Sequence, residues 1–120
     1  METYIACVTA KPGSEAEVAS FYSELEPQYA NAKGFHGRQI LKALPGTMLE
    51  AVKKVRSAEE LAAHAEAEGP AGTHFIIIEH WEQVDDRIAF SQSLDRSRAA
   101  KLFPHLIPEH SHEFYTDITP

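Results

Sequence analysis

The spacing of apolar residues along this chain alternates between every second position and helical intervals, which predicts an α+β domain. The segment Tyr4–Ala10 (YIACVTA) predicts a first strand. A capping box at Ser14-Glu15-Ala16-Glu17 predicts the start of a helix. The apolar face of this helix consists of Val18, Phe21, Tyr22, Leu25 and Tyr29. Pro27 predicts a kink near Leu25–Glu26, and Gly34 predicts the end of the helical segment.

Residues Phe35–Leu41 predict the second strand, and the segment 43–73 that follows is ambiguous. Capping boxes begin at Thr47 and at Ser57, and they predict two helices in this segment. The alternative is a strand over Met48–Val55, which would complete a βαββαβ unit by residue 81. The apolar pattern does not decide between the two.

The most pronounced strand pattern is Thr73–Trp81, where apolar and β-branched residues dominate. Strand alternation places four of its side chains on one face: Phe75, Ile77, Glu79 and Trp81. The opposite face carries Ile76, Ile78 and His80. A second helix pattern follows Asp85 and Asp86 and ends by Pro104, and His110–Ile118 predicts a last strand. This order of elements is ferredoxin-like.

Composition narrows the class of protein. A chain of 120 residues is expected to form one domain, 1–120. The formal net charge of −7 argues against nucleic-acid binding, which needs clustered Lys and Arg. No apolar run reaches the roughly 18 residues of a membrane span, and no secretory signal pattern is present, so we expect no membrane partner. The lone Cys7 fits a reducing compartment, and we expect the protein in the cytoplasm.

Four local features together resemble the antibiotic biosynthesis monooxygenase domain. They are the turn Lys11-Pro12-Gly13-Ser14, the pair Gly34-Phe35, the motif Glu79-x-Trp81-Glu82 and the last strand after Pro108. The resemblance covers roughly residues 4–42 and 74–118, so 43–73 looks like an insertion. It implies a four-stranded antiparallel sheet with helices on one face. A second protomer packs on the other face, so that a homodimer forms a dimeric α+β barrel.

The resemblance also implies a function. Members of this family oxidise phenolic aromatic substrates without metal or flavin, so we expect no cofactor and a small aromatic or polyketide-like substrate. By resemblance Trp81 borders the cavity, with Ile77 and Phe90 as further substrate-binding residues and Arg38 as a polar anchor. The alternatives on the same fold are a non-oxidative enzyme, such as an isomerase or cyclase, and a small-molecule-binding dimer without catalysis.

Three positions depart from the quinone-forming members of the family. An Asn four positions before the Trp is replaced by Ile77, a His late in the second strand by Leu41, and a Tyr six positions after the Trp by Arg87. Any chemistry must therefore use other residues.

The remaining catalytic candidates are three histidines and one carboxylate. His80, His110 or His112 can act as a general base, since imidazole titrates near neutrality, or can simply bond locally at strand ends. His110 and His112 share a strand face, but no third ligand is fixed by spacing, so we predict no metal site. Glu79 inside an apolar strand needs a partner, and it is either a cavity acid or base or half of a structural ion pair with Arg38.

Overall fold

The computed structural model describes residues 1–65 and 71–120. Four strands form the sheet: β1 (Glu2–Ala10), β2 (Phe35–Lys42), β3 (Thr73–Trp81) and β4 (Ser111–Tyr115). The described helices are α1 (Glu15–Glu24), α2 (Glu26–Ala30), α3 (Thr47–Lys53), α4 (Ala58–Ala65), α5 (Val84–Ser93) and α6 (Arg96–Leu102), with a 3-10 turn at Phe103–His105. None of the described helices is long and apolar enough to cross a membrane.

The sheet has the strand order β2-β3-β1-β4, and each neighbouring pair is antiparallel. The prediction of a ferredoxin-like α+β fold is therefore confirmed. β3 lies in the middle of the sheet, and its side chains alternate between buried and more exposed, as the period-two pattern predicted. Phe75, Ile77, Glu79 and Trp81 are all buried on the face that the helices cover.

The core under the helices consists of two clusters. The first centres on Val8, Val18, Phe75 and Ile77, and it reaches Leu102 and Leu106. The second is mainly aromatic: Tyr4, Leu25, Tyr29, Trp81 and Phe90. The other face of the sheet, here called the outer face, carries Leu41, Ile76 and Tyr115, which are all about half exposed. Apolar side chains left half exposed on one sheet face are typical of a surface that a partner covers.

The helix boundaries agree with some sequence signals and correct others. The predicted kink is confirmed, because α1 ends at Glu24 and α2 begins at Glu26. The Ser57 capping box is confirmed, since its hydroxyl accepts from the Glu60 amide at 3.2 Å. The Ser14 capping box is wrong, because its hydroxyl instead lies 3.1 Å from Nδ1 of His105. The box at Thr47 is also wrong, since the N-cap is Gly46 at a φ of 84°.

The segment between β2 and β3 is helical where the structure describes it. α3 covers most of Met48–Val55, so the helical alternative is correct and the strand alternative is wrong. Three large apolar residues in and beside α3 are exposed: Leu44, Met48 and Val55. The part of the predicted insertion at 66–70 lies outside the described residues.

Candidate functional site

A buried carboxylate forms the centre of the candidate site. The side chain of Glu79 is only 1% exposed. Its Oε2 accepts a hydrogen bond from the Tyr29 hydroxyl at 2.7 Å. Its Oε1 accepts from the Trp81 indole nitrogen at 2.8 Å and from Nε of Arg87 at 2.8 Å. Three donors satisfy the carboxylate, which offsets the cost of removing its charge from water.

The local sequence explains how these groups meet. Glu79 and Trp81 are two apart on β3, so both side chains point to the helix-covered face. Tyr29 comes from the short helix α2, and Arg87 comes from the first turns of α5, just after β3. The connection from β3 to α5 thus places the guanidinium of Arg87 beside the carboxylate of Glu79, near the end of the strand.

The predicted ion pair between Glu79 and Arg38 is wrong. Nη2 of Arg38 donates to Oε2 of Glu26 at 2.5 Å, and its guanidinium lies 4.0 Å from the centroid of the Tyr29 ring. Its side chain is 2% exposed, and its Nη1 atom is buried without a partner among the described residues. Arg87 occupies the place beside Glu79, and Arg38 instead pairs with Glu26, the first residue of α2.

Arg87 links the buried carboxylate to the edge strand β4. Its guanidinium lies 4.2 Å from the centroid of the Tyr4 ring, and its Nη1 donates to the Ser91 hydroxyl. The Tyr4 hydroxyl lies 3.2 Å from Nδ1 of His112, within hydrogen-bonding distance. A hydrogen-bonding contact, a cation–π contact and an ion pair therefore join His112, Tyr4, Arg87 and Glu79 in that order. The side chain of Arg87 is 12% exposed, so these contacts reach solvent at the Arg87 end as well.

The phenols of the site are held in their neutral form. Burial raises the pKa of Tyr4, and it raises the pKa of Tyr22 to about 12. Burial and the adjacent Glu79 carboxylate raise the pKa of Tyr29 further. At neutral pH Tyr29 is therefore a hydrogen-bond donor to Glu79 and not a base.

The three apolar side chains predicted to bind substrate, Trp81, Ile77 and Phe90, lie in the core. Trp81 and Ile77 have no exposed surface, and Phe90 is buried. The ring of Trp81 packs 5.3 Å from that of Phe35 and 5.4 Å from that of Phe90, measured between centroids. The indole N–H already donates to Glu79, so Trp81 offers neither exposed ring surface nor a free donor to a ligand.

The three candidate histidines do not come together. His80 pairs with Thr3 in the register of β1 and β3 and lies on the outer face. His112 lies on the helix-covered side, because it pairs with Ala6. His110 is exposed, and its ring centroid is 6.5 Å from that of His112. Within residues 1–65 and 71–120, no group of three metal-ligating side chains is found.

Open grooves lie between the helices above the sheet. The groove nearest to Arg87, here called the Arg87 groove, has a volume of about 180 Å³ and lies between α1, α5 and α6. Its walls include Phe21, Leu25, Leu94, Arg96 and Arg98. A neighbouring groove of about 470 Å³ shares Phe21 and Arg98 with it. A third, of about 890 Å³, lies between α2 and α5.

Sequence reasoning missed three members of the site: Tyr4, Tyr29 and Arg87. Tyr29 was assigned to an apolar helix face, although a buried tyrosine hydroxyl needs a polar partner. Arg87 was noted only as a departure from the family pattern. Arg87 lies in the first turn of the helix that follows the strand of Glu79, and a cation at such a position is a signal that an ion pair could have been sought there.

No protein-family model matches the sequence, and no curated protein sequence is similar to it. Solved structures do match. A candidate antibiotic biosynthesis monooxygenase from Bordetella bronchiseptica superposes with a TM-score of 0.64 at 19% identity, over 98% of this chain and 97% of that chain. SnoaB, a cofactor-independent oxygenase from Streptomyces nogalater, gives 0.62 at 15% identity, over 99% and 94% of the two chains. A conserved protein from Methanosarcina mazei gives 0.63 at 13% identity, over 95% and 89%.

These identities are too low to carry an activity from one protein to another, so the likeness bears on architecture. It extends over nearly the whole length of each pair of chains. The chain has the fold of antibiotic biosynthesis monooxygenase domains, as its four local sequence features indicated.

Proposed function

We propose that the protein is a cofactor-independent oxygenase of the cytoplasm that oxidises a small phenolic aromatic substrate in the Arg87 groove. The observation that supports this most is the fixed position of Arg87, which Glu79 holds through Nε at 2.8 Å while the same side chain lines the groove. A guanidinium fixed in this way is pre-organised to stabilise an anion that forms during a reaction.

The chemistry needs a base, and His112 is the proposed one. It lies on the strand next to Tyr4, whose ring contacts the guanidinium of Arg87. His112 accepts the phenolic proton through the Tyr4 hydroxyl, and His110 beside it passes the proton to solvent. Arg87 stabilises the phenolate.

The proposed reaction consumes one O2 for each substrate molecule. The phenolate carries its electrons to the ring carbon para to the oxygen, and that carbon adds to O2 to form a peroxide. Loss of the para hydrogen and cleavage of the O–O bond give the quinone carbonyl and one water. The substrate loses two hydrogens, one oxygen atom stays in the quinone, and the other leaves as water.

We further propose that two protomers associate through their outer faces. Leu41, Ile76 and Tyr115 on this face are half exposed, and the paired residues Ile5 of β1 and Ile78 of β3 lie on the same face. Burial of such a surface is favourable at about 25 cal/mol per Å² of apolar area. His80 lies on this face, so its proposed role is at the subunit interface.

The main alternative is a non-oxidative enzyme or a binding dimer. The complete burial of Trp81 and Ile77 favours it, because in the family resemblance these residues border an open cavity. It predicts ligand binding, or turnover, without consumption of O2.

Oxygen-electrode assays with 1-naphthol and with anthrone test the proposal. The expected result is uptake of one O2 per quinone formed, with no effect of catalase because no hydrogen peroxide is released. His112→Gln should lower the rate by about 100-fold or more, as expected for loss of a general base. His36→Gln, a histidine outside the site beside Glu82, should leave the rate unchanged. Absence of O2 uptake by the wild-type protein with both substrates would reject the oxygenase.

A further inference from the structure

We propose that the Arg87 groove recognises an aromatic carboxylic acid, so that the substrate carries an anionic group in addition to its phenol. The phenol as the reacting group is taken from the proposed function. The anionic group is inferred from a different set of contacts. Those contacts are the apolar walls of the groove and the two arginines of α6, Arg96 and Arg98.

The walls fit a flat apolar group of limited size. Phe21 of α1, Leu25 between α1 and α2, Leu94 and Ala99 supply the apolar part of the lining. Its volume of about 180 Å³ is smaller than the range of about 300–1,000 Å³ that is typical of sites for drug-sized ligands. The groove therefore suits one or two fused rings better than a four-ring polyketide.

The charges of the groove favour an anion at its rim. Arg87 is paired with Glu79 and is assigned to the phenolate, and among the described residues that line the groove Asp95 is the single carboxylate beside Arg96 and Arg98. The hydrogen bond from the Ser97 amide at 2.9 Å, and to a smaller extent the charge of Arg98, lower the pKa of Asp95, which therefore stays ionised and offsets one of the two arginine charges. Among the residues that the structure describes, no carboxylate lies within 4.0 Å of a side-chain nitrogen of Arg96 or Arg98.

Arg98 is the stronger of the two candidates for the ligand contact. It is partly buried, whereas Arg96 is exposed. A partly desolvated guanidinium gains more from a carboxylate than a solvated one, and its planar fork can donate two parallel hydrogen bonds.

The positive charge at the rim of the Arg87 groove contrasts with the negative charge of the chain as a whole. The whole chain has a formal net charge of −7, so an anion is repelled by much of the remaining surface. The neighbouring groove of about 470 Å³ is lined by Arg98 and Lys101 but also by Glu17 and Glu24, so its lining has no excess of positive charge. The anion is therefore assigned to the Arg87 groove, and the neighbouring groove is left for solvent.

Calorimetric titrations of the full chain with 2-naphthoate and with 2-naphthamide test the inference. The two probes share their rings and differ in the charge of one group. The wild-type protein should bind the acid about tenfold more tightly than the amide, within the range for a charge-assisted hydrogen bond. Arg98→Gln should remove this preference by weakening the acid alone, and Arg96→Gln should reduce it several-fold.

Arg56→Gln is the matched control, since Arg56 is an exposed arginine of the 43–73 segment paired with Glu60. It should leave the preference intact. The inference is overturned if the acid and the amide bind equally, if neither binds, or if Arg98→Gln weakens both alike. Circular dichroism of each variant confirms that it is folded. If the protein prefers the acid but consumes no O2, the inference stands and the proposed oxygenase function is rejected. If it oxidises 1-naphthol without preferring the acid, only the inference is rejected.

Discussion

Replacement of Glu79 by Gln tests the physical basis of the site. The substitution keeps the shape of the side chain, but it leaves the guanidinium of Arg87, which is 12% exposed, without its carboxylate. Removing one partner of a buried ion pair costs about 3–5 kcal/mol. Arg87 keeps its contacts with Ser91 and with the ring of Tyr4, so we expect the lower end of that range, about 3 kcal/mol. A domain of this size has a free energy of unfolding of about 6–18 kcal/mol, so the variant should still fold.

Urea titration measures this cost. With a slope of about 2 kcal/mol per molar urea, the unfolding midpoint should fall by about 1.5 M. Fluorescence reports the transition directly, because Trp81 is the single tryptophan and donates to Glu79. All variants are compared at one protein concentration, since association would stabilise the folded state.

The matched control is Glu82→Gln. Glu82 directly follows the same strand, but its side chain is 67% exposed and its ion-pair partner is the half-exposed His36, so a change of less than about 0.5 kcal/mol is expected. The double variant Glu79→Gln with Arg87→Met removes both charges and should cost less than the two single changes together. The ion-pair explanation is refuted if Glu79→Gln matches Glu82→Gln, or if the double variant costs the full sum.

Two further predictions concern pH and association. Since burial raises the pKa of Tyr22 to about 12, unfolded tyrosines ionise first as pH rises above about 10, and the urea midpoint should fall from there toward pH 12; a midpoint independent of pH in that range contradicts the burial of the phenols. By light scattering the protein should run at twice its chain mass of 13.3 kDa or a multiple of it, and Ile78→Glu on the outer face should shift it to the monomer; a wild-type monomer would contradict the barrel.

The fold could be predicted because its main signals are periodic. β3 alternates between buried and more exposed positions along nine residues, and a central strand with one covered face allows no other register. The helical nature of 43–73 could not be decided from the sequence, because the capping boxes at Thr47 and Ser57 indicated helices while a strand over Met48–Val55 would have completed a βαββαβ unit. Met48 and Val55 are exposed, so their spacing does not reflect a buried face of either a helix or a strand in this protomer.

The site was predicted less well, and Arg38 shows why. The register of β2 and β3 does place Arg38 directly opposite Glu79, so the expected adjacency was correct. The ion pair nevertheless forms with Arg87, which arrives from a helix that crosses above the strand. Strand pairing can be inferred from alternation, whereas the side chain that a helix places over the sheet depends on its packing angle, which local sequence does not encode.

Arg87 also gives a physical reason to place the chemistry away from Trp81. In the family resemblance a tyrosine stands at this position, and a tyrosine can exchange a proton, whereas a guanidinium stays charged at all accessible pH values. Arg87 is a permanent cation, and both its Nε and the indole N–H of Trp81 donate to the Glu79 carboxylate. Proton transfer then requires a group outside these bonds, and the Tyr4 hydroxyl with His112 is the nearest pair that the contacts of Arg87 reach. The exchange of tyrosine for arginine is thus the physical reason that the proposed proton transfer runs through Tyr4 and His112 and not through Glu79.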